Sequence, residues 1–327
     1  MTMKRFTFCG LLAVVVSMMM GCSEAPTIDL KECDAFVAAK PVWAEGRETE
    51  RNLTLAFREV IEAGRIGEAY MRLTASCDYR LRINGEFVAH GPSVAAHDFY
   101  RVDCIDIEPY LHRGENVIAV EVAGYNDDSY YLLNQPSFLQ AEVEINGEVV
   151  AATGSNFEAY DLKQRKQDVP EFSFQRPHTE YYILSADFQQ WLSDAAWQGV
   201  EPVKLVEQPT KTLLSRHVEY PDYRLHDAVA QENNIYAFEC NSTGFLGVKV
   251  KVEEPTRLQV RFDEVLWEDG NVNAGRLGCQ AYIIYELQPG DYTIESFEPY
   301  TMQYMEVLVE SGDCTIERVY MRDYCNS

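Results

Sequence analysis

The sequence predicts an all-β protein built from two antiparallel β-sandwiches, jelly-roll-like and in tandem. Three observations predict it. Apolar and polar residues alternate with a period of two in many short segments. Turn-forming pairs such as Asn84-Gly85, Asn146-Gly147 and Pro289-Gly290 separate those segments. A helical period of 3.6 is almost absent.

The chain opens with a segment that is not part of the fold. Lys4 and Arg5 precede an apolar run from Phe6 to Met20, followed by Gly21-Cys22. A short positive region, an apolar core and a small residue make an export signal over 1–21. The run is short for a membrane span. Cys22 directly after Gly21 matches a bacterial lipoprotein signal, with Cys22 as the lipidation site; an ordinary secretory signal is the plainer alternative. Residues 22–39 read as a tether, and a lipid anchor there would place the protein in the bacterial cell envelope, at the periplasm or outer-membrane surface.

The first sandwich is expected over 40–206. Ala69, Met71, Leu73, Ala75 and Cys77 alternate with polar residues, and the phase continues through Tyr79, Leu81 and Ile83. This is one long strand or two joined by a kink. Asn84-Gly85 then turns the chain, and INGE recurs at 83–86 and 145–148 as repeated turn chemistry. Ile118, Val120 and Val122 give another strand. Leu53–Ile61 is ambiguous between strand and helix. A helix is predicted over Ala186–Ala196, with Ser185 as N-cap and Phe188, Trp191 and Leu192 on one face.

A break at Val206–Arg216 leads into a second sandwich over 207–327. Val248, Val250 and Val252 form one strand, and Leu258, Val260 and Phe262 another after Pro255. Tyr282–Leu287, Tyr292–Ser296 and the alternation at Met305, Val307 and Val309 follow. Each unit is long enough to bury its own core.

Composition narrows the partners. The formal charge is −24 with 52 acidic residues. Such a chain repels phosphate backbones and anionic headgroups, so nucleic acid is excluded as a partner and membrane contact is left to the N-terminal anchor. Neutral plant or host glycans remain allowed. The nine cysteines are scattered without a C-x-x-C pair, so no zinc site or dense disulfide framework is read; one or two disulfides are allowed. His90, His97 and His112 match no metal-ligand spacing, and the Asp127-Asp128 pair lacks the other ligands of a calcium loop. No cofactor is implied.

Several stretches together resemble the bacterial α-L-rhamnosidase family. They are WAEGRETERNL at 43–53, YRLRINGE at 79–86, LHRGENVIAV at 111–120 and FQRPHTEYY at 174–182, then GFLG at 244–247, RFDEVLWEDG at 261–270, FEPY at 297–300 and YMEV at 304–307. The resemblance implies the β-sandwich region that precedes a barrel of paired helices. In that family the barrel holds the sugar pocket and the two carboxylates of an inverting hydrolysis. No stretch here matches the barrel, so no catalytic residue is assigned. The strand at Thr315–Arg322 runs nearly to Ser327, which reads as a cut before the barrel.

The best carbohydrate-binding candidate is the Tyr-rich stretch after the 117–122 strand: Tyr125, Asn126, Asp127, Asp128 and Tyr130. Aromatic rings stack on sugar faces while amides and carboxylates bond hydroxyls. Trp267 is added because the resemblance puts its turn near the absent barrel. The acid pairs Asp263-Glu264 and Glu268-Asp269 flank it, but are read as a solvated loop. A carbohydrate-binding surface protein and an adaptor that docks a partner through an apolar patch are the alternatives. The DNA immediately downstream of the codon for Ser327 tests the resemblance: a barrel-coding sequence is expected there, in frame or shifted, and unrelated sequence would favour a free-standing binder.

Overall fold

A computed structural model describes residues 35–130 and 132–326. The signal segment, Cys22 and most of the tether lie outside them. Strands β1 (Val42–Ala44), β2 (Leu53–Ala63), β3 (Ala69–Ala75), β4 (Tyr79–Ile83), β5 (Glu86–Gly91), β6 (Phe99–Asp106), β7 (Gly114–Gly124), β8 (Leu139–Ile145), β9 (Glu148–Ala152) and β10 (Glu158–Tyr160) occupy the N-terminal half. After them come β11 (Glu180–Leu184), β12 (Leu205–Glu207), β13 (Thr212–Ser215), β14 (Leu225–Asp227), β15 (Val229–Ala230), β16 (Ile235–Asp263), β17 (Tyr282–Leu287), β18 (Gly290–Glu295) and β19 (Tyr300–Asp323). Helix among the described residues is confined to short 3-10 turns. The chain is all-β, in keeping with its alternating pattern.

In the first sandwich, a sheet ordered β12-β1-β8-β3-β6-β13, with β9 on β8, faces one ordered β10-β2-β7-β4-β5. Trp43, Leu55, Phe57, Met71, Leu81, Val120 and Val143 fill the space between. The alternation over 69–83 resolves into two strands in different sheets. Ala69, Met71, Leu73 and Ala75 point inward from one, Tyr79, Leu81 and Ile83 from the other. Because the phase is kept across Ser76–Asp78, the chain changes sheets without turning its apolar face to water. The hairpin turns are built as their residues require, with positive φ at Asn84 and Gly85 (52° and 85°) and at Asn146 and Gly147 (54° and 85°). The ambiguous 53–61 segment is strand β2, paired along its whole length with β7.

The second unit is one curled sheet, ordered β11-β17-β16-β19-β14 with β15 and β18 also on β16. β16 runs straight through the expected break at Pro255. Its first part pairs with β18 through Gly247–Val252 and its second with β17 through Thr256–Arg261. Register shifts against β19 fall between, around Glu254. Proline supplies no N–H and irregular pairing bends a strand. The sheet therefore folds over itself and encloses Leu246, Val248, Leu258, Val260, Ile283, Met305 and Val319.

The helix expected at 186–196 does not form. Phe188, Gln190 and Leu192 each donate their main-chain N–H three residues back, and only Gln190–Leu192 is 3-10. Arg58 explains the outcome: its guanidinium takes the carbonyls of Trp191 (3.0 Å), Asp194 (2.6 Å) and Ala195 (3.3 Å). Trp191 and Leu192 are apolar because they pack on Ala56, Ala119 and Tyr160 of the first sandwich, not because they line a helix.

The two units exchange strands. β11 pairs in parallel with β17 of the second sheet, and β13 in parallel with β6 of the first. A division near 206/207 leaves each of these strands across the boundary from the sheet it bonds. Upstream, Glu142 is fully buried and accepts the main-chain N–H groups of Val37, Ala38 and Ala39 at 2.9–3.1 Å. The last residues of the expected tether are thus strapped to β8.

Polar side chains fill the junction. Arg80 pairs with Glu121 at 2.6 Å and reaches across to the Ser296 carbonyl at 3.0 Å. Glu295 sits between Arg322 (2.8 Å) and Arg82 (3.4 Å). Burial alone would raise its pKa, but the guanidiniums of Arg322 and Arg82 outweigh burial and hold it at about 2. His90 of β5 is caged by the rings of Phe245, Phe297 and Tyr324, with centroids 5.0, 5.5 and 5.6 Å away.

Neither His90 ring nitrogen makes a well-formed hydrogen bond. Burial, then Arg80, lowers its pKa from 6.5 to about 3. The unfolded chain therefore takes up a proton below pH 6.5 that the folded chain refuses. Stability from this group is intact above pH 6.5 and declines as pH falls towards 3, by up to about 1.4 kcal/mol per pH unit. Melting curves between pH 7 and 4.5 should show His90→Phe with a shallower acid loss than wild type. Parallel curves would show that His90 is not the source.

Candidate carbohydrate-contact surface

The Tyr-rich loop leaves β7 through Gly124 and Asn126. A Cβ on Gly124 would lie 2.4 Å from Ser137 Oγ and 2.8 Å from the Trp43 ring, so only glycine fits. Asn126 takes a positive φ of 46° and is buried. Its Nδ2 donates to Ser137 Oγ (2.7 Å) and to the carbonyls of Glu48 (3.2 Å) and Glu50 (3.3 Å). Asn126 is a turn residue with its amide directed inward.

Tyr125 is likewise interior, at 2% exposure. Its hydroxyl donates to Glu298 and its ring lies under the Arg165 guanidinium at 5.6 Å. It cannot present a face to a sugar. The polar end of the phenol has its partner across the junction, and that is what draws the ring inside.

Further out, Asp127 accepts from Arg51 Nε at 2.6 Å and faces His178 Nε2 at 3.5 Å. Burial, followed by the nearby charges of Arg165 and Arg51, lowers the His178 pKa to about 4 and outweighs the opposing pull of Asp127. Asp128 accepts the Asn134 N–H at 2.9 Å and closes the loop. Tyr130 stands at the tip, 79% exposed. Its ring meets that of Phe174, 69% exposed, edge-on at 5.7 Å. Phe174 rides on the Ser173–Arg176 turn, pinned by paired main-chain bonds of 3.0 and 3.1 Å. Composition points to Tyr130 but not to Phe174, Arg51 or His178, which come from other segments. The FQRPH stretch at 174–178 marks two of these three, without showing that it meets the Tyr-rich loop.

Trp267 is 53% exposed and belongs to a different turn, after β16. The acid pair beside it is spent on structure. Arg276 Nε bonds both Asp263 oxygens (2.7 and 2.8 Å), and its Nη2 reaches Glu264 at 3.2 Å. The cleft between the units, lined by Arg80, Arg82, Glu121, Tyr182, Trp191 and Glu295, has a cavity volume of about 50 Å³. That is room for a few waters and too little for a sugar ring. Its two carboxylates are the ones locked by Arg80 and by Arg322 with Arg82. The six described cysteines are all free thiols.

No protein-family model matches the sequence, and no curated protein matches it. Solved structures do. The α-L-rhamnosidase of Dictyoglumus thermophilum aligns with 87% of this chain and 35% of its own, with a TM-score of 0.62 and 18% identity. The native enzyme of Aspergillus terreus gives 87%, 36%, 0.61 and 18%. The Streptomyces avermitilis enzyme complexed with L-rhamnose gives 84%, 28%, 0.58 and 19%. At these identities the likeness is one of fold. This chain spans about a third of the length of these structures.

Burial separates contact residues from structural ones. Tyr125→Ala should destabilise by about 3–5 kcal/mol, whereas Tyr130→Ala should stay within about 0.5 kcal/mol of wild type. Denaturant titration of both checks the assignment.

Proposed function

We propose that this chain is the non-catalytic β region of an α-L-rhamnosidase-like glycoside hydrolase, held at the bacterial envelope through Cys22 and contacting neutral glycans through the Tyr130–Phe174 ledge. The observation that carries the reading is the fold likeness: nearly all of this chain aligns, onto only about a third of each enzyme. The state of the acids supports it. Glycoside hydrolysis needs one carboxyl to protonate the leaving group and another opposite it, and Asp263, Glu264, Glu121 and Glu295 are all bound to arginines.

The ledge suits a contact role. Two exposed rings offer an apolar surface, and Asp127, Asp128 and Arg51 flank it with hydrogen-bonding groups. Stacking of this kind contributes about 0.5–1.5 kcal/mol beyond area burial, so affinity for a single sugar should be weak. A free-standing glycan binder is the second reading, and the same ledge favours it.

The purified chain should turn over aryl α-L-rhamnosides no faster than its Asp263→Asn/Glu264→Gln variant; a clear excess of wild-type turnover would sink the non-catalytic assignment. Calorimetry with neutral plant and host oligosaccharides should show a binding component that Tyr130→Ala and Phe174→Ala each remove.

A further inference from the structure

The outer face of the curled sheet carries an open depression of about 370 Å³, within the roughly 300–1,000 Å³ of small-molecule sites. Gln259 and Arg261 of β16 and Tyr282 of β17 form its floor, with Val272–Gly275, Cys279 and Gln280 as its wall. Arg261 lies directly opposite Tyr282 in the ladder. Side chains alternate along a strand, so Gln259 shares their face, while Leu258, Val260 and Ile283 between them enter the core.

The depression is pre-organised. Tyr282 donates its hydroxyl to Gln280 Oε1 at 2.6 Å, and Arg261 Nε donates to Gln259 Oε1 at 2.5 Å. An arginine only donates, which fixes the Gln259 oxygen towards it. The Nε2 donors of Gln259 and Gln280 have no acceptor among the described residues. The wall is tied down from outside: Arg276 by Asp263 and Glu264, Gln280 N–H by the Phe172 carbonyl at 2.7 Å, and Ala281 N–H by the Ala274 carbonyl at 2.9 Å.

The lining contains no carboxylate, in a chain with 52 acidic residues. Its one cation, Arg261, is 3.4 Å from Glu306, so the depression has little net pull on an anion. What remains is three amides (Gln259, Gln280 and Asn273, whose Oδ1 accepts the Gly275 N–H at 3.0 Å), a phenol, a guanidinium, a thiol and the apolar surface of Val272, Ala274 and the Tyr282 ring. We infer that this depression is a second saccharide site, taking one or two neutral sugar units whose hydroxyls meet the Gln259 and Gln280 amides while a ring face rests on Tyr282. Leu266 bridges to Val272, which puts the turn bearing Trp267 at the lip, where a longer glycan would continue.

The inference rests on the glycan-handling reading and deepens it by adding a site independent of the Tyr130 ledge. Calorimetric titration with L-rhamnose, D-galactose and D-glucose and a rhamnose-containing disaccharide tests it, with melting midpoints as the control for folding. Wild type should bind two sugars per chain, and Gln259→Ala/Gln280→Ala should bind one, as should Tyr130→Ala. Tyr282→Phe, which keeps the ring and drops the hydroxyl, should weaken the same component severalfold. If the double variant binds as wild type does, or if Tyr130→Ala alone abolishes all binding, this site is wrong and the ledge stands. Absence of binding with every sugar overturns both.

Discussion

The structure turns on the carboxylate of Glu180. It is fully buried and accepts from the main-chain N–H of Phe297 (2.7 Å) and Glu298 (3.0 Å) and from the hydroxyls of Tyr300 (2.8 Å) and Tyr182 (2.5 Å). A buried charge is tolerated only when its acceptor capacity is met, and here four donors meet it. The clamp holds the 297–300 turn in place. That turn in turn delivers Phe297 to His90, Arg80 and Arg165, and Glu298 to Tyr125. Arg165 has its Nε and one Nη without hydrogen bonds. It is accommodated by stacking on Tyr125 and Phe297 and by the field of Glu180. Removing the carboxylate would orphan all four donors at once and loosen the turn that the second unit presents to the first.

This clamp gives the family-like stretches a physical meaning. FQRPHTEYY contains Glu180 and Tyr182, FEPY contains Phe297 and Tyr300, and YRLRINGE contains Arg80. Segments more than a hundred residues apart in sequence meet at one buried cluster. A cluster of paired charges and stacked rings constrains residue identity more tightly than an apolar core, where volume-conserving swaps cost little. The legible motifs therefore report how two β units are locked together. They say nothing directly about hydrolysis, and the buried carboxylates of Glu180 and Glu298 among them are held by tyrosines and main-chain N–H groups.

The candidate site was half legible. A run of Tyr, Asn and Asp after a strand marks a loop at a sheet end, and that is where it lies. The division of labour inside it was hidden. Tyr125 and Tyr130 are alike in sequence, but one has a carboxylate across the junction to bond and the other stands exposed against the Phe174 ring. Phe174 and His178 were written in the sequence without any sign that their loop would meet this one. The Trp191 region shows the same limit in the fold. Its apolar spacing fits a helix face and fits equally a turn packed on a sheet, and Arg58, more than 130 residues away, favours the turn by taking the Trp191 carbonyl that a helix would offer to Ala195.

The amino-acid sequence alone determined what depends on near neighbours. Strand phase follows from alternation, because a sheet has one apolar face, and the Asn-Gly hairpins follow from the positive φ their turns demand. The all-β class follows from both. Tertiary structure decided what depends on partners distant in the chain: which sheet each strand joins, the exchange of β11 and β13, the curling of β16 past Pro255, and which polar side chains are consumed as structure. The reason is that a charge or a tyrosine carries no local signal of its partner, and whether it faces water or a counter-charge is settled only when the two β units close on each other.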